Sequence, residues 1–189
     1  MAQTRALVLT GGESSRMGRH KPAIEVDGTS LVERVLLAAF AYRPVVVGRP
    51  DGVVSAPVIP DTEPGAGPVA GIATGLEHLG AELDDTDRLL VLAADLPLLT
   101  AHHLRRLVDA EADCVVTSSN GRLQWLCACW QVGLLRRQLA ATPPAGRSVR
   151  SLAAGVAPLI VTDTDQVALD VDTPDDLQQL IERDPGESD

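Results

Sequence analysis

Near-continuous apolar runs alternate with helix-patterned stretches along most of the chain, and this limits the fold more than any other feature. Ala6 to Thr10, Pro44 to Gly48, Val58–Ile59 and Arg88 to Ala94 read as strands with almost no polar alternation. Such strands are buried on both faces, so a mostly parallel sheet covered by helices on each side is expected, an α/β architecture. The intervening segments read as helices. Ser30 caps one running to about Ala41, with Glu33 as its capping-box partner. Val69 to Leu79 is a second helix, rich in small residues, and Thr100 caps a third through about Ala110. Two more follow at about Val132 to Ala141 and Val149 to Ala154. Asp27-Gly28 marks a tight turn after an extended piece, Ala23 to Val26. Ser119-Asn120-Gly121-Arg122 joins Cys114–Ser118 and Leu123–Gln131 as a hairpin. Strands are expected at Ala157 to Thr162 and Val167 to Val171, and Thr173-Pro174-Asp175-Asp176 opens a last helix.

A chain of 189 residues suits one domain, placed at 1–183, with an acidic tail at 184–189 expected to be disordered. Phe40, Tyr42, Trp125 and Trp130 are the only aromatics, so the core must be mostly aliphatic. Cys114, Cys127 and Cys129 form no CxxC pair and have no histidine at zinc-ligand spacing. They read as small buried apolar residues in a reducing compartment. The net charge of −10 argues against general affinity for nucleic acid or anionic membrane. No apolar run approaches the ~20 residues that span a bilayer, so a cytoplasmic protein is expected.

Open parallel sheets bind ligands outside the carboxyl ends of their strands. That rule selects the loop after Thr10, the loop after Pro60, Asp95, and Asp170 with Asp172. The first loop runs from Gly11 to Pro22. Its three glycines allow backbone N–H groups to turn inward, and Ser14, Ser15, Arg16, Arg19 and Lys21 add donors. Lys21 is the only lysine in the chain. The loop is neither a P-loop, which needs Gly-Lys-Ser/Thr at a helix start, nor the G-x-G-x-x-G dinucleotide fingerprint.

Leu9-Thr10-Gly11-Gly12-x-Ser-x-Arg16-Met17-Gly18-x-x-Lys21-Pro22 resembles the nucleotide loop of nucleotidyltransferases with a glycosyltransferase-A-like fold. The pattern Asp61-x3-Gly65-x-Gly67-Pro68-x-Ala70-Gly71 is similar to the molybdenum cofactor guanylyltransferase (MobA-like) branch. Ala94-Asp95-x-Pro97-x-Leu99 resembles that family's metal-binding strand end, and Asp170-Val171-Asp172-Thr173-Pro174 its C-terminal motif. The four motifs fall in family order across nearly the whole chain. The resemblance implies a three-layer α/β/α fold of the nucleotide-diphospho-sugar transferase type. It also implies that Leu9, Thr10, Gly11 and Gly12 wrap the nucleotide, Lys21 meets its phosphates, Asp61 lies at the base, and Asp95 holds Mg²⁺. The chemistry is compatible: lysine is a compact cation suited to phosphate, and a strand-end carboxylate is a hard ligand for Mg²⁺. Thr10 stands where the family commonly has Ala, Gly48 where it often has Asn, and Asp170 and Asp172 where it usually has Asn.

The implied reaction transfers GMP from GTP to the terminal phosphate of molybdopterin or its molybdenum-loaded form, releasing pyrophosphate. Lys21, Arg16 and Asp95 would be catalytic, Asp95 and Asp172 would serve the metal, and the product would pass to molybdoenzymes or their chaperones. A related CTP-dependent or sugar-phosphate nucleotidyltransferase, and a non-catalytic nucleotide-binding domain, remain alternatives. In an extended strand Asp170 and Asp172 project from one face, as a second metal carboxylate or, for Asp172, as part of a helix cap. His20, His78, His102 and His103 show no triad or metal spacing, so surface or helix-end places are expected. Alternation places Trp125, Cys127 and Cys129 on one side of their strand and Trp130 on the other. This reads as a half-buried strand, with an acceptor-binding wall as the alternative.

Overall fold

The computed structural model describes residues 2–11, 21–63, 65–143, 146–169 and 176. Among these, seven strands form one sheet: β1 (Thr4–Leu9), β4 (Val45–Val47), β5 (Val58–Ile59), β6 (Arg88–Ala93), β7 (Cys114–Ser119), β8 (Arg122–Gln131) and β9 (Leu159–Thr162). Their order is β5-β4-β1-β6-β8-β7-β9. All are parallel except β8, which runs antiparallel to both of its neighbours. The short β2 (Glu25–Val26) and β3 (Thr29–Ser30) form a separate ribbon, closed by Asp27 and Gly28, both at positive φ. The Asn120-Gly121 turn between β7 and β8 likewise has both residues at positive φ, as a two-residue hairpin requires.

The helices are α1 (Leu31–Ala38), α2 (Pro68–Leu79), α3 (Ala101–Asp109), α4 (Val132–Ala141) and α5 (Val149–Leu152), with 3-10 turns at Lys21–Ala23 and Phe40–Tyr42. Residues of β1 alternate between two cores. Ala6 and Val8 pack with Val32, Val35 and Leu36 of α1 and Leu104 and Leu107 of α3. Leu7 and Leu9 pack on the other side with Ile72 and Leu76 of α2, Leu135 of α4 and Leu152 of α5. The result is the expected three-layer α/β/α fold. Each large aliphatic side chain buried in it contributes about 1.5–3 kcal/mol. Helix α2 lies directly on β1 because its inner face is small: a Cβ on Gly75 would sit 2.3 Å from the Leu7 side chain.

Several local expectations are corrected. Ser30 does cap α1, accepting the Glu33 N–H at 3.2 Å, but the Glu33 carboxylate instead accepts from Val54 N (2.9 Å) and Ser55 N (3.3 Å). It clasps the loop before β5 rather than closing a capping box. Val167 and Ala168 lie in a turn, not a strand. Both are buried, and their N–H groups go to the Asp163 carboxylate at 3.0 and 2.9 Å, which replaces a ladder partner. Leu169 is not in a strand either; Asp170 and Val171 of that expected strand, most of the last helix and the acidic tail lie outside the described residues.

The side-chain pattern of β8 also differs. Val116 pairs with Ala128 but Thr117 pairs with Gln124, so Trp125, Leu126 and Cys127 have no ladder partner on β7. A bulge with an odd number of extra residues exchanges the faces of the strand on either side of it. Trp125 therefore packs on the same face as Trp130, ring centroids 6.0 Å apart at 37°, while Cys127 and Cys129 face the opposite core. His103 lies in the first turn of α3, where its N–H is capped by the Thr100 hydroxyl at 3.2 Å, but it is not at the surface. It is 2% exposed, and its Nε2 lies 2.8 Å from the Thr117 hydroxyl, which bonds Cys127 Sγ at 3.2 Å. His20 lies outside the described residues; His78 and His102 are exposed.

Candidate functional site

The carboxyl ends of β1, β4, β5 and β6 open on one edge of the sheet. A cavity of about 400 Å³ lies there, lined by Leu9 at the end of β1, Gly11 after it, Val47 of β4, Asp61 after β5, and Gly65 and Gly67 before α2. Gly65 and Gly67 have φ of +83° and +91°, a backbone that other residues enter only with strain. Asp61 is oriented by its own loop: Oδ1 accepts the Glu63 N–H at 3.1 Å, and Oδ2 lies 3.9 Å from where a Cβ on Gly11 would stand. The open backbone at Gly11 and the carboxylate opposite it form the two sides of a slot.

Thr10 is not among the residues lining this cavity. It is 2% exposed, and its hydroxyl accepts from Arg49 N at 2.8 Å and meets the Arg49 carbonyl at 3.0 Å. A Cβ on Gly48, whose φ is +123°, would fall 2.6 Å from that hydroxyl. Thr10 and Gly48 thus fit as a pair. The hydroxyl takes the space a side chain at 48 would need and ties the end of β1 to the end of β4.

Lys21 is buried, with its side chain 9% exposed, and Nζ donates to Asp95 Oδ2 at 2.7 Å. Asp95 follows β6, is a quarter exposed (26%), and lines a second cavity of about 370 Å³. That cavity is also bounded by Ala93, Gln124, Trp125, Ser148 and Arg150. Pro68, the first residue of α2, borders both cavities, so they adjoin across the start of that helix. The loops on their rims are joined as well, since Gly146 N donates to the Ala66 carbonyl at 2.6 Å.

The structure thus brings Leu9, Gly11 and Asp61 to one cavity and joins Lys21 to Asp95 beside the next. Gly12, Arg16, Asp170 and Asp172 lie outside the described residues. Gln124, Ser148 and Arg150 were not singled out from sequence: they come from distant segments and carry no motif. Strict alternation along β8 puts Trp125 on the face opposite to the one it occupies. Burial pushes the thiols of Cys114 and Cys127 up to about 12 and that of Cys129 up to about 11, so none is a nucleophile or ligand at neutral pH. Among the described residues no three His, Cys, Asp or Glu side chains cluster as a metal group. Mg²⁺ requires no such cluster, because it takes one or two carboxylates and completes its shell with substrate phosphates and water. Asp95, a hard oxygen donor at a strand end beside a cavity, fits that pattern.

The three-layer α/β/α fold, with a cavity at its carboxyl edge, is shared with solved nucleotidyltransferases. A molybdopterin-guanine dinucleotide biosynthesis protein A from Archaeoglobus fulgidus superposes with a TM-score of 0.75 over 95% of this chain and 97% of that one, at 23% identity. A 2-C-methyl-D-erythritol 4-phosphate cytidylyltransferase from Thermus thermophilus shares the fold at a TM-score of 0.72 and 18% identity, over 97% and 100% of the two chains. The chain belongs to the MobA-like NTP transferase domain family, whose model matches residues 6–156. It is 32% identical over 186 residues to a molybdenum cofactor guanylyltransferase of Rhodobacter capsulatus, covering 94% of each chain. It is 37% identical over 153 residues to one of Rhodopseudomonas palustris, covering 73% of each. Enzymes of this kind generally use a divalent metal. No helix among the described residues is long and apolar enough to cross a membrane.

Proposed function

We propose that this protein transfers GMP from GTP to the terminal phosphate of a molybdopterin-type acceptor. The carrying observation is the adjacency of the two cavities at Pro68, with the Lys21–Asp95 pair beside them. A nucleotide in the cavity at Asp61 directs its phosphates toward the start of α2, where helix N–H groups favour anions. An acceptor in the second cavity brings its phosphate to the same border. An acceptor phosphate oxygen forms a bond to the α-phosphorus of GTP as the bond from that phosphorus to the bridging oxygen of pyrophosphate breaks. Charge balances without a proton transfer, because the acceptor phosphate is already anionic. No covalent enzyme intermediate is required.

The chain's own contribution is alignment and charge neutralisation. The Lys21 ammonium, bonded to Asp95 at the border of the second cavity, would neutralise the transferred phosphates. Asp95 would hold Mg²⁺, which when bound neutralises the phosphate oxygens. Arg16 and Gly12 from the nucleotide loop, and Asp172 as a second carboxylate, complete the assignment by family motif. Asp61 selects the base: guanine presents N1–H and N2–H together, and the two carboxylate oxygens match them. Cytosine offers only its N4 amine. A hydrogen bond to a charged group contributes ~1.5–3 kcal/mol, a factor of roughly 10 to 150 in preference. Competition between GTP and CTP in the native protein and in Asp61→Ala tests this. Preference for GTP that collapses in the variant supports the reading, and native preference for CTP overturns it. We place the reaction in the cytoplasm, with onward transfer of the product to molybdoenzymes or their chaperones.

A further inference from the structure

Bounded by Gln124, Trp125, Ser148 and Arg150, the second cavity has a composition that narrows what it accepts. Trp125 reaches it only because of the irregular pairing of β8, which turns the indole onto the face of α2 and α5 and braces it against Trp130. A half-buried indole backed by a second indole is a rigid flat wall, suited to stacking a planar ring. Its neighbour Gln124 offers an amide with one acceptor and two donors, complementary to a ring edge bearing a carbonyl and an amine. Arg150 and Ser148 also line the cavity and are both exposed, and a guanidinium with a hydroxyl suits a phosphate. A volume of about 370 Å³ takes a fused bicyclic or tricyclic ring with a short phosphorylated side chain.

We infer that Trp125 and Arg150 determine acceptor specificity: Trp125 stacks a planar heteroaromatic ring, and Arg150 holds the phosphate attached to it. A sugar phosphate satisfies Arg150 but leaves the indole wall unused, so the cavity selects fused-ring phosphate esters over simple sugar phosphates. This rests on the proposed transfer for its place in the reaction, but the binding can be measured without it.

The experiment is equilibrium dialysis of the native protein, Trp125→Ala, Trp125→Phe and Arg150→Ala against 6-hydroxymethylpterin phosphate, the unphosphorylated pterin and ribose 5-phosphate. GTP affinity is followed in parallel. Trp125→Ala is expected to weaken the pterin phosphate about 5- to 150-fold, the range for loss of an aromatic stacking partner. Trp125→Phe is expected to recover most of that, and GTP binding to stay within about twofold. Arg150→Ala should weaken the phosphorylated pterin and leave the unphosphorylated one unchanged. Pterin phosphate bound no more tightly than ribose 5-phosphate, or equally by native protein and Trp125→Ala, overturns the inference. If Trp125→Ala does not fold, Arg150→Ala and Trp125→Phe decide it: unchanged pterin phosphate binding in Arg150→Ala, or no advantage of the ring over the sugar in Trp125→Phe, overturns it. Trp125-dependent pterin binding without guanylyl transfer would leave this inference standing and remove the proposed function. Transfer with an unaltered acceptor KM in Trp125→Ala would do the reverse.

Discussion

Replacing Asp95 with Asn keeps the shape of the side chain and removes the charge that faces the Lys21 ammonium at 2.7 Å. The two partners are unequally buried, Lys21 at 9% and Asp95 at 26% side-chain exposure, so the two halves of the pair are unequal to lose. Taking the partner of a fully buried charge costs about 3–5 kcal/mol. Water reaches Asp95, which brings the figure toward the ~2 kcal/mol of a charge-assisted hydrogen bond. For a chain of this size that lowers Tm by about 4–8 °C. Lys21→Met removes the deeper charge instead, leaving a carboxylate that water can serve, at a cost of about 1 kcal/mol and about 2–4 °C. A loop lysine is ordinarily exposed and its loss leaves stability nearly unchanged; the burial of Lys21 gives its loss a measurable cost. Thermal unfolding of both variants without nucleotide, followed by calorimetry, measures the difference. Both should also lose most guanylyl transfer. Asp95→Asn melting with the native protein, or Lys21→Met melting below Asp95→Asn, would refute the reasoning.

Three further outcomes follow from the described contacts. Burial pushes the His103 pKa below its ordinary 6.5, against the opposing charges of Asp163 and Asp165 and with help from Arg106 and His102. Its neutral form therefore contributes stability that is present above about pH 6.5 and lost as pH falls toward the lowered value; urea unfolding at pH 7.5 and 5.5 should show this, and His103→Gln should flatten it. Gly48→Ala places a Cβ 2.6 Å from the Thr10 hydroxyl at a φ of +123° and should cost about 3 kcal/mol. Adding Thr10→Ala should recover part of that loss but not the backbone strain, so the double variant should be more stable than the sum of the single losses, as read by Tm. Finally, Cys114, Cys127 and Cys129, with thiols pushed up to about 11–12, should resist iodoacetamide at pH 8 until denaturant is added, as read by intact mass.

Where local pattern and tertiary environment agree, the sequence is a sufficient guide. Leu7 and Val8 are both apolar because they face two different cores, and that continuity predicts the covered parallel sheet. Asn120-Gly121 predicts its hairpin because few other residues accept both positive φ values. Leu9, Gly11, Asp61 and Asp95 are readable because strand ends place their loops on a common edge. Other features depend on neighbours far along the chain. The pairing shift that turns Trp125 is fixed between Val116 and Thr117 on the facing strand, so alternation within β8 misplaces the indole. His103 looks like a surface residue beside His102, and only its approach to Thr117 on the sheet shows that it is buried and bonded. Glu33 stands at the right spacing for a capping box, but Val54 and Ser55 present two N–H groups to it. Arg150 and Gln124 line one cavity only because α5 and β8 flank it.

The most direct test of the central claim is the stoichiometry of product formation with the purified protein, Mg²⁺, molybdopterin and each of the four nucleoside triphosphates. The account predicts a guanine dinucleotide of the pterin and one pyrophosphate for each, with GTP preferred by at least tenfold, and neither product when the acceptor is omitted. Equal or greater turnover with CTP would contradict the base assignment. Absence of pyrophosphate and dinucleotide with every nucleotide, in protein that binds GTP, would contradict nucleotidyl transfer itself.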